Sequence, residues 1–475
     1  MLELFANHKY ADEAGQIARM FFPGEKICSA EAAAFAGTGQ TPGSLLIVSE
    51  LRGGSAYAEV RGDGAILSHF EWPFSNNSGF LTHPRMLMLA LYHALQEIKP
   101  IYAPWGSLTG IRPTKLARQW LDMGLCEEDI VSTYKNPYCV SEEKARFALD
   151  VAKTENRLAK KINDISDKAV GFYINIPFCE TRCLYCSFNC MDRPPSYEMQ
   201  ELYISALAGE IREKAKQIRE SGQVVSSIYI GGGTPTFLHE VLLEKMLYAL
   251  GEVKTEKTVE FTVEGGRPDS VTKEKINLLT RYGATRFCVN PQTLNDSTLV
   301  AIGRKHTADD FYRAFRIARD AGIKSISADV IVGLPGETLF DMDSTMEGVV
   351  KLMPENITVH NLAIKRASKL KLGLKEADLP YAETAQKMLG IAQDYVKSAG
   401  YRPYYLYRQK DMVGLCENVG YSLDGFWCLY NVAMMSEVQT VIGAGAGAVS
   451  KFVEGSKITR QFNVKNPEIY IERRV

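Results

Sequence analysis

Four cysteines lie within twelve residues of the chain, at Cys179, Cys183, Cys186 and Cys190. Three thiolates on one short loop can hold three irons of a [4Fe–4S] cluster and leave the fourth iron open for reaction. A structural zinc site would instead use four ligands, with Cys190 completing the set, and thiols without any metal are the third interpretation. The CxxxCxxC spacing of the first three favours the cluster. The other six cysteines are scattered and are expected to be packing residues.

Polar or glycine residues also follow the strand-like runs further along the chain. Gly231-Gly-Gly-Thr234 follows the second run, Glu264 ends the third, Gln292 follows the fourth, and Asp329 lies in the fifth. In parallel α/β folds, functional residues gather at the carboxyl ends of the strands. Together with the cysteine loop, these positions predict a single site at one end of the strands.

The elements that would position this site alternate regularly after residue 171. Six short runs rich in β-branched or aromatic residues are separated by helical stretches: Gly171–Ile176, Ser227–Ile230, Val259–Val263, Thr285–Val289, Ser325–Val332 and Ile357–Leu362. Repeated strand–helix alternation predicts parallel strands with helical crossovers. The fold class is therefore α/β, either a barrel or a doubly wound sheet.

The flanking regions differ from this alternation. Residues 1–165 combine strand-like runs between Leu45 and Phe70 with two helical patterns, which predicts an α+β accessory domain with a helical tail. Residues 166–370 form the predicted core. Residues 371–475, with a helix from Tyr381 to Ser398 and a glycine-rich strand near Gly443, are predicted to be an extension that covers the substrate.

Composition excludes several classes of protein. With 46% hydrophobic residues in 475, the chain is not globally disordered. A net charge of −1 argues against a strongly basic nucleic-acid binder. No apolar run approaches the roughly 20 residues of a membrane span, and the amino terminus does not read as a signal peptide. We therefore expect a cytoplasmic protein with no nucleic-acid or membrane partner, in a compartment where disulfides are rare.

The cysteine loop, with Tyr185 before its last cysteine, resembles the motif of the radical S-adenosylmethionine (SAM) superfamily. The resemblance continues through Tyr173–Cys179, Gly231–Thr236 and Asp329–Gly336. Within the superfamily, the chain most resembles the oxygen-independent coproporphyrinogen III oxidase (coproporphyrinogen dehydrogenase) family. The stretch Trp105–Lys115 and the carboxyl-terminal segments Tyr407–Lys410, Glu417–Tyr421 and Gly443–Gly447 resemble the Z-type branch of heme synthesis. The implied fold is a partial (β/α)6 TIM-like barrel between the two flanking regions.

The resemblance also implies a reaction. A [4Fe–4S] cluster and one electron would cleave SAM to methionine and a 5′-deoxyadenosyl radical, so the cofactors carry the difficult chemistry. The implied oxidoreductase decarboxylates two propionates of coproporphyrinogen III to vinyl groups, which yields protoporphyrinogen IX in heme biosynthesis. Its implied partners are the porphyrinogen substrate, an electron donor of the flavodoxin or ferredoxin type, and an electron acceptor.

Site residues are carried over from the family position by position. Cys179, Cys183 and Cys186 would hold the cluster. The group resembles enzymes that hold two SAM molecules. If this property is carried over, the residues implied for the first SAM are Tyr173, Gly232, Glu264 and Val449. Those implied for the second are Tyr185, Gly233, Thr234, Gln292, Arg304, Asp329 and Ala363. Arg408 and Lys410 are candidates for binding substrate carboxylates. No catalytic side chain is assigned beyond the cluster and SAM.

Two other functions remain open. Some family members have a further cysteine where this chain has Phe188, and the Phe188 form also occurs in related heme chaperones, which bind and transfer heme. The chaperones share a tail motif of His-Asn followed by Tyr-Trp, whereas the aligned residues here read Tyr430-Asn431-Val-Ala-Met434-Met435 and lack both the histidine and the aromatic pair. A zinc-bearing structural or RNA-associated α/β protein is the alternative from another class, but it leaves Gln292, Arg304 and Asp329 unexplained.

Overall fold

The computed structural model describes residues 2–30, 43–74, 81–110, 112–188, 190–191, 193–363, 382–409, 412–455 and 457–474. The chain divides into two compact units. The first contains residues 1–113 and 119–149, and the second contains residues 114–118 and 150–475. The domain boundaries predicted after residues 165 and 370 stay predictions.

The first unit is built on a five-stranded sheet in the order β2-β1-β3-β4-β5. Its strands are β1 (Leu2–Ala6), β2 (Ile27–Ser29), β3 (Leu45–Arg52), β4 (Ser55–Gly62) and β5 (Ala65–Pro73). The helices that begin in this unit are α1 (Ala11–Phe21), α2 (His83–Ile98), α4 (Glu127–Lys135) and α5 (Glu142–Ile165), while α3 (Thr114–Asp122) begins in the second unit. Residues 46–49 of β3 and 55–60 of β4 are buried without alternation, so both faces of these two central strands are covered.

The second unit contains an eleven-stranded sheet in the order β12-β13-β11-β10-β9-β8-β7-β6-β14-β15-β16. Its six central strands are β6 (Ala169–Ile176), β7 (Val224–Gly232), β8 (Glu260–Glu264), β9 (Arg286–Cys288), β10 (Ser325–Val332) and β11 (Asn356–Asn361). Each pairs in parallel with the next along the chain. The predicted α/β class is confirmed, and the parallel sheet is that of a partial six-stranded barrel.

Helices follow the central strands, as the alternation predicted. They are α6 (Tyr197–Glu220), α7 (Glu240–Leu250), α8 (Lys273–Arg281), α9 (Asp296–Ala301), α10 (Ala308–Asp320) and α11 (Leu339–Lys351). The fourth strand is shorter than its predicted run from Thr285 to Val289. Both end residues nevertheless keep strand-like hydrogen bonds, from Thr285 N to the Phe261 carbonyl (2.9 Å) and from Val289 N to the Ser327 carbonyl (2.8 Å).

The carboxyl-terminal part of the chain extends the same sheet at both edges. Its elements are α12 (Ala382–Ser398), β12 (Arg402–Tyr407), β13 (Asn418–Ser422), α13 (Leu429–Ser436), β14 (Val441–Ala444), β15 (Val449–Glu454), β16 (Lys457–Phe462) and α14 (Pro467–Glu472). Strand β13 runs antiparallel to β11, whereas β14 runs parallel to β6. The described helices include none that is long and apolar enough to cross a membrane.

A buried carboxylate joins this terminal segment to the barrel. Glu210 of α6 is fully buried. It accepts hydrogen bonds from Gly445 N (2.9 Å), Asn463 Nδ2 (2.9 Å) and the Tyr470 hydroxyl (2.5 Å), and it pairs with Arg474 at 3.0 Å. Such a carboxylate is tolerated only because every partner is in place.

Replacing Glu210 with alanine should therefore destabilise the second unit by about 3–5 kcal/mol, since it leaves the donors of Gly445, Asn463 and Tyr470 without their acceptor. Glu213 of the same helix is the matched control, because it is exposed and pairs only with Arg474 at 3.2 Å among its described ion pairs. Glu213→Ala should cost less than about 1 kcal/mol. Urea denaturation of both variants measures the difference, and equal free energies of unfolding would contradict it.

Candidate active site

The cysteine loop follows β6 and forms one wall of a cavity. Cys179, Cys183 and Cys186 line a cavity of about 330 Å³ in the second unit, and all three are free thiols. The neighbouring loops hold the backbone of this segment. Leu184 N donates to the Ile302 carbonyl (3.0 Å), and the Thr181 hydroxyl donates to the Gly303 carbonyl (3.1 Å).

The glycine turn after β7 lies directly against the cysteine loop. Gly233 N donates to the Ile176 carbonyl and Thr234 N to the Phe178 carbonyl, both at 2.7 Å. A Cβ atom on Gly233 would lie 2.5 Å from the Phe178 carbonyl oxygen and 2.9 Å from Cys179 Sγ. Only glycine therefore allows this approach. Cys179 Sγ also lies 3.3 Å from the Thr234 hydroxyl.

A fourth thiol, Cys190, lines the same cavity. A hydrogen bond from Cys190 lowers the pKa of the Cys186 thiol to about 6. A similar hydrogen bond from Cys190 lowers the pKa of Cys179. Both shifts favour the thiolate, which is the form that binds iron. The sequence signal for Cys190 was its spacing alone.

Acidic side chains stand deeper in the cavity, on β8 and β10. Glu264 accepts a hydrogen bond from the Tyr229 hydroxyl. Burial raises the pKa of Glu264 to about 7, and the nearby Asp329 contributes to the rise. Asp329 lies 3.6 Å from His360 Nε2. The predicted carboxylates therefore face one cavity, together with a histidine and a tyrosine that the sequence analysis did not single out.

Arg304 is buried and ties three walls of the cavity together. Its guanidinium donates to the Tyr185 hydroxyl (3.0 Å) and to the carbonyls of Gly266 (2.8 Å) and Asn290 (3.0 Å). Gln292 lies in the left-handed region at φ 68°, and its Oε1 is buried without a hydrogen-bond partner among the described residues. An unpaired buried amide oxygen that lines a cavity indicates a ligand that would donate to it.

The cavity collects most of the predicted site. The predicted residues that line it are Cys179, Cys183, Tyr185, Cys186, Gly232, Gly233, Thr234, Glu264, Gln292, Arg304, Asp329 and Ala363. Further lining residues for which the sequence predicted no role in the site include Tyr229, Thr262, Arg286, Cys288 and His360. Alternate polar residues within the strands, as in Glu260-Phe-Thr262-Val-Glu264, were the signal that could have found the inward positions.

Tyr173 and Val449 are predicted site residues that are not among those lining the cavity. Tyr173 instead donates from its hydroxyl to Asn175 Oδ1 (2.9 Å). The Asn175 side chain in turn lies against Gly232. Tyr173 therefore contacts the Gly231–Thr234 turn indirectly, through Asn175. Val449 begins β15 and pairs with Phe462, while its backbone packs against Gly443.

The two substrate candidates, Arg408 and Lys410, stay predictions. Arg408 is buried away from the cavity lining, and it donates to the carbonyls of Leu415 (3.1 Å) and Cys416 (3.4 Å). Both carbonyls belong to the segment before β13, so these hydrogen bonds hold the Arg408 guanidinium against that segment. Lys410 lies outside the described residues.

The residues present fit an iron–sulfur cluster. Within the described ranges, no group of three His, Cys, Asp or Glu side chains lies close enough to hold a single metal ion. Each iron of a [4Fe–4S] cluster takes one thiolate, so its ligands need not converge on one point. Three free thiols on one cavity wall, two of them with a lowered or near-neutral pKa, are a suitable donor set.

Comparison with known proteins agrees with this site. Residues 173–349 match the radical SAM superfamily. The barrel is similar to the structure described as coproporphyrinogen III oxidase (HemN) from Escherichia coli, a radical SAM enzyme, with a TM-score of 0.54 at 21% identity over 66% of this chain and 71% of that one. That likeness concerns the fold alone.

Sequence relatives narrow the class. The chain is 36% identical over 430 residues to the oxygen-independent coproporphyrinogen-III oxidase-like protein HemZ of Bacillus subtilis, covering 87% of this chain and 84% of the relative. It is 31% identical to the heme chaperone HemW of the same organism, over 63% of this chain and 74% of that protein. The chain therefore belongs to the radical SAM superfamily and, within it, to the family of the oxygen-independent coproporphyrinogen-III oxidase-like proteins. Its cofactors are a [4Fe–4S] cluster and SAM.

The close approach at Gly233 gives a direct test. Gly233→Ala should displace the cysteine loop and reduce the iron bound per chain after anaerobic reconstitution to well under half of the unsubstituted level. Gly209→Ala in α6 is the control, because a Cβ there meets no atom within 4 Å and alanine favours a helix. Iron analysis and the absorption near about 400 nm measure occupancy. Full occupancy in Gly233→Ala would contradict the packing argument.

Glu264 should make stability depend on pH. Its pKa is about 7 in the folded chain against 4.5 as the ordinary value, so between these pH values the native state binds more protons than the unfolded one. The free energy of unfolding should then fall as pH rises from 4.5 to 7, by at most about 1.4 kcal/mol per pH unit. Urea denaturation without SAM should show a flatter pH dependence for Glu264→Gln; parallel curves would refute the assignment.

Proposed function

We propose that the protein catalyses the oxygen-independent oxidative decarboxylation of two propionates of coproporphyrinogen III to vinyl groups, which yields protoporphyrinogen IX. The observation that carries the proposal is the single cavity that joins the cysteine loop to a polar barrel interior. The similarity to the HemZ relative over most of both chains supports the choice of substrate. The proposed location is the cytoplasm, where thiols stay reduced.

The cluster and SAM would supply a 5′-deoxyadenosyl radical that removes a hydrogen atom from the β-carbon of a propionate. The chain's own residues position the reactants. Cys179, Cys183 and Cys186 would hold the cluster, and the Gly231–Thr234 turn gives the methionine end of SAM close access to the backbone. Glu264, with Tyr229 donating to it, is available to a cationic part of SAM. Loss of carbon dioxide leaves an electron on the substrate, so the reaction needs an acceptor as well as a one-electron donor of the flavodoxin or ferredoxin type.

A heme chaperone is the competing function, because HemW is also a relative. The aligned tail residues in this chain begin α13. Tyr430 stacks on Tyr229 with ring centroids 4.3 Å apart, and Asn431 lines the cavity. A histidine is absent from this position, so the tail offers no imidazole to heme iron there. This absence supports the enzyme over the chaperone.

Anaerobic incubation of the reconstituted protein with SAM, reductant and coproporphyrinogen III tests the proposal. Mass spectrometry should detect loss of two carboxyl groups from the substrate, and Cys183→Ala should abolish it by removing one cluster ligand. Cys28→Ala is the control, because that thiol lies in β2 of the first unit. Stable heme binding without decarboxylation would reject the proposed reaction and favour the chaperone.

A further inference from the structure

The cavity continues into the barrel beyond the predicted SAM residues. In register across the sheet, Thr262 pairs with Arg286, and Arg286 pairs with Ser325. Thr262 precedes Glu264 by two residues on β8, so this row of paired residues lies nearer the amino ends of the strands than the row of Glu264. Barrels of parallel strands normally fill such positions with branched apolar residues. Here Thr262 and Arg286 line the cavity, together with Asn356, which pairs with Ser327 in the row of Glu264. We call these three residues the polar floor.

Arg286 of the polar floor uses only some of its hydrogen-bond donors within the described part of the chain. It is only 5% exposed, and its Nη1 donates to the Phe426 carbonyl at 2.9 Å. Asn356 Nδ2 donates to the same carbonyl at 2.7 Å, so the Phe426 carbonyl links two residues of the polar floor. Arg286 Nε and Nη2 and the Thr262 hydroxyl have no hydrogen-bond partner within the described part of the chain. Buried donors that stay unpaired cost free energy, which a ligand that accepts from them would restore.

A neighbouring carboxylate does not take these donors. Glu260 Oε2 lies 4.0 Å from Arg286 Nε, which is beyond hydrogen-bonding distance. The Glu260 oxygens accept instead from Leu429 N (2.8 Å) and Tyr430 N (3.0 Å), at the first turn of α13. The positive end of that helix offsets much of the charge of Glu260. Glu260 therefore attracts the guanidinium through its charge, at 4.0 Å, but leaves the hydrogen-bonding edge of Arg286 to a further anion.

The unpaired donors have the geometry of a carboxylate site. The Nε–H and one Nη2–H of an arginine point the same way along one edge of the guanidinium plane and match the two oxygens of a carboxylate. The Thr262 hydroxyl can add a third donor to the same group. We propose that Arg286 and Thr262 form a carboxylate subsite that holds one propionate arm of a tetrapyrrole. The identity of the tetrapyrrole rests on the proposed function.

The test compares acid and ester forms of one ligand on the holoprotein. Under anaerobic conditions with SAM, coproporphyrinogen III should bind more tightly than its tetramethyl ester. Arg286→Met should weaken binding of the acid about 10- to 100-fold and leave the ester unchanged. Arg286→Lys should recover part of the loss because it restores the charge without the fork.

A second variant guards against misfolding of the first. Thr262→Val removes a hydroxyl that has no partner in the described structure. This variant should weaken binding of the acid form by about three- to tenfold. Ser227→Ala is the matched control, since the Ser227 hydroxyl is likewise buried and unpaired among the described residues but is not part of the cavity lining. It should change neither affinity. Unchanged affinity of Thr262→Val and Arg286→Met for the acid, or equal losses for acid and ester, would overturn the subsite.

Binding of heme and of its dimethyl ester distinguishes a failure of the subsite from a failure of the proposed decarboxylation. If the protein binds no coproporphyrinogen but selects heme over its ester in a way that Arg286→Met abolishes, the subsite stands and the decarboxylation fails. If the unsubstituted protein binds coproporphyrinogen III and heme no more tightly than their methyl esters, the subsite is rejected, whatever reaction the enzyme performs.

Discussion

The Gly231–Thr234 turn and the cysteine loop can share one cavity only because no side chain separates them. Backbone hydrogen bonds of 2.7 Å join Gly233 to Ile176 and Thr234 to Phe178, and the space beside Gly233 is too small for a Cβ atom. This contact depends on the parallel pairing of β6 with β7, which brings the ends of both strands to the same edge of the sheet. The position of the cluster ligands relative to the predicted SAM residues follows from it.

Three acidic side chains of the barrel interior are tolerated because each has a defined partner. Glu264 is held by Tyr229, Asp329 lies beside His360, and Glu260 is held by the first turn of α13. Burial without such partners would exclude these charges. The C-terminal segment is thus part of the active-site architecture, since α13 supplies the donors that keep Glu260 away from the hydrogen-bonding edge of Arg286.

Much of this arrangement was accessible from the chain alone. The spacing of Cys179, Cys183 and Cys186 predicted a cluster, and the alternation of runs predicted the six parallel strands now seen from β6 to β11. The reason is local: ligand spacing and strand periodicity are short-range properties of a sequence. Polar residues at strand ends could be assigned to one site because parallel strands place those ends together.

Other features depended on which strands pair and which side chains turn inward. Arg408 directly follows the tyrosine-rich strand β12, yet its guanidinium donates hydrogen bonds to the carbonyls of Leu415 and Cys416. Arg286 belongs to no motif, and the register of β8, β9 and β10 places it in the cavity with donors that have no partner among the described residues. The sequence by itself determined the cofactor class and the parallel α/β core, because both reside in short spacings. The tertiary structure decided which cations face the cavity, because hydrogen bonds between residues far apart in the chain consume some donors and leave others free.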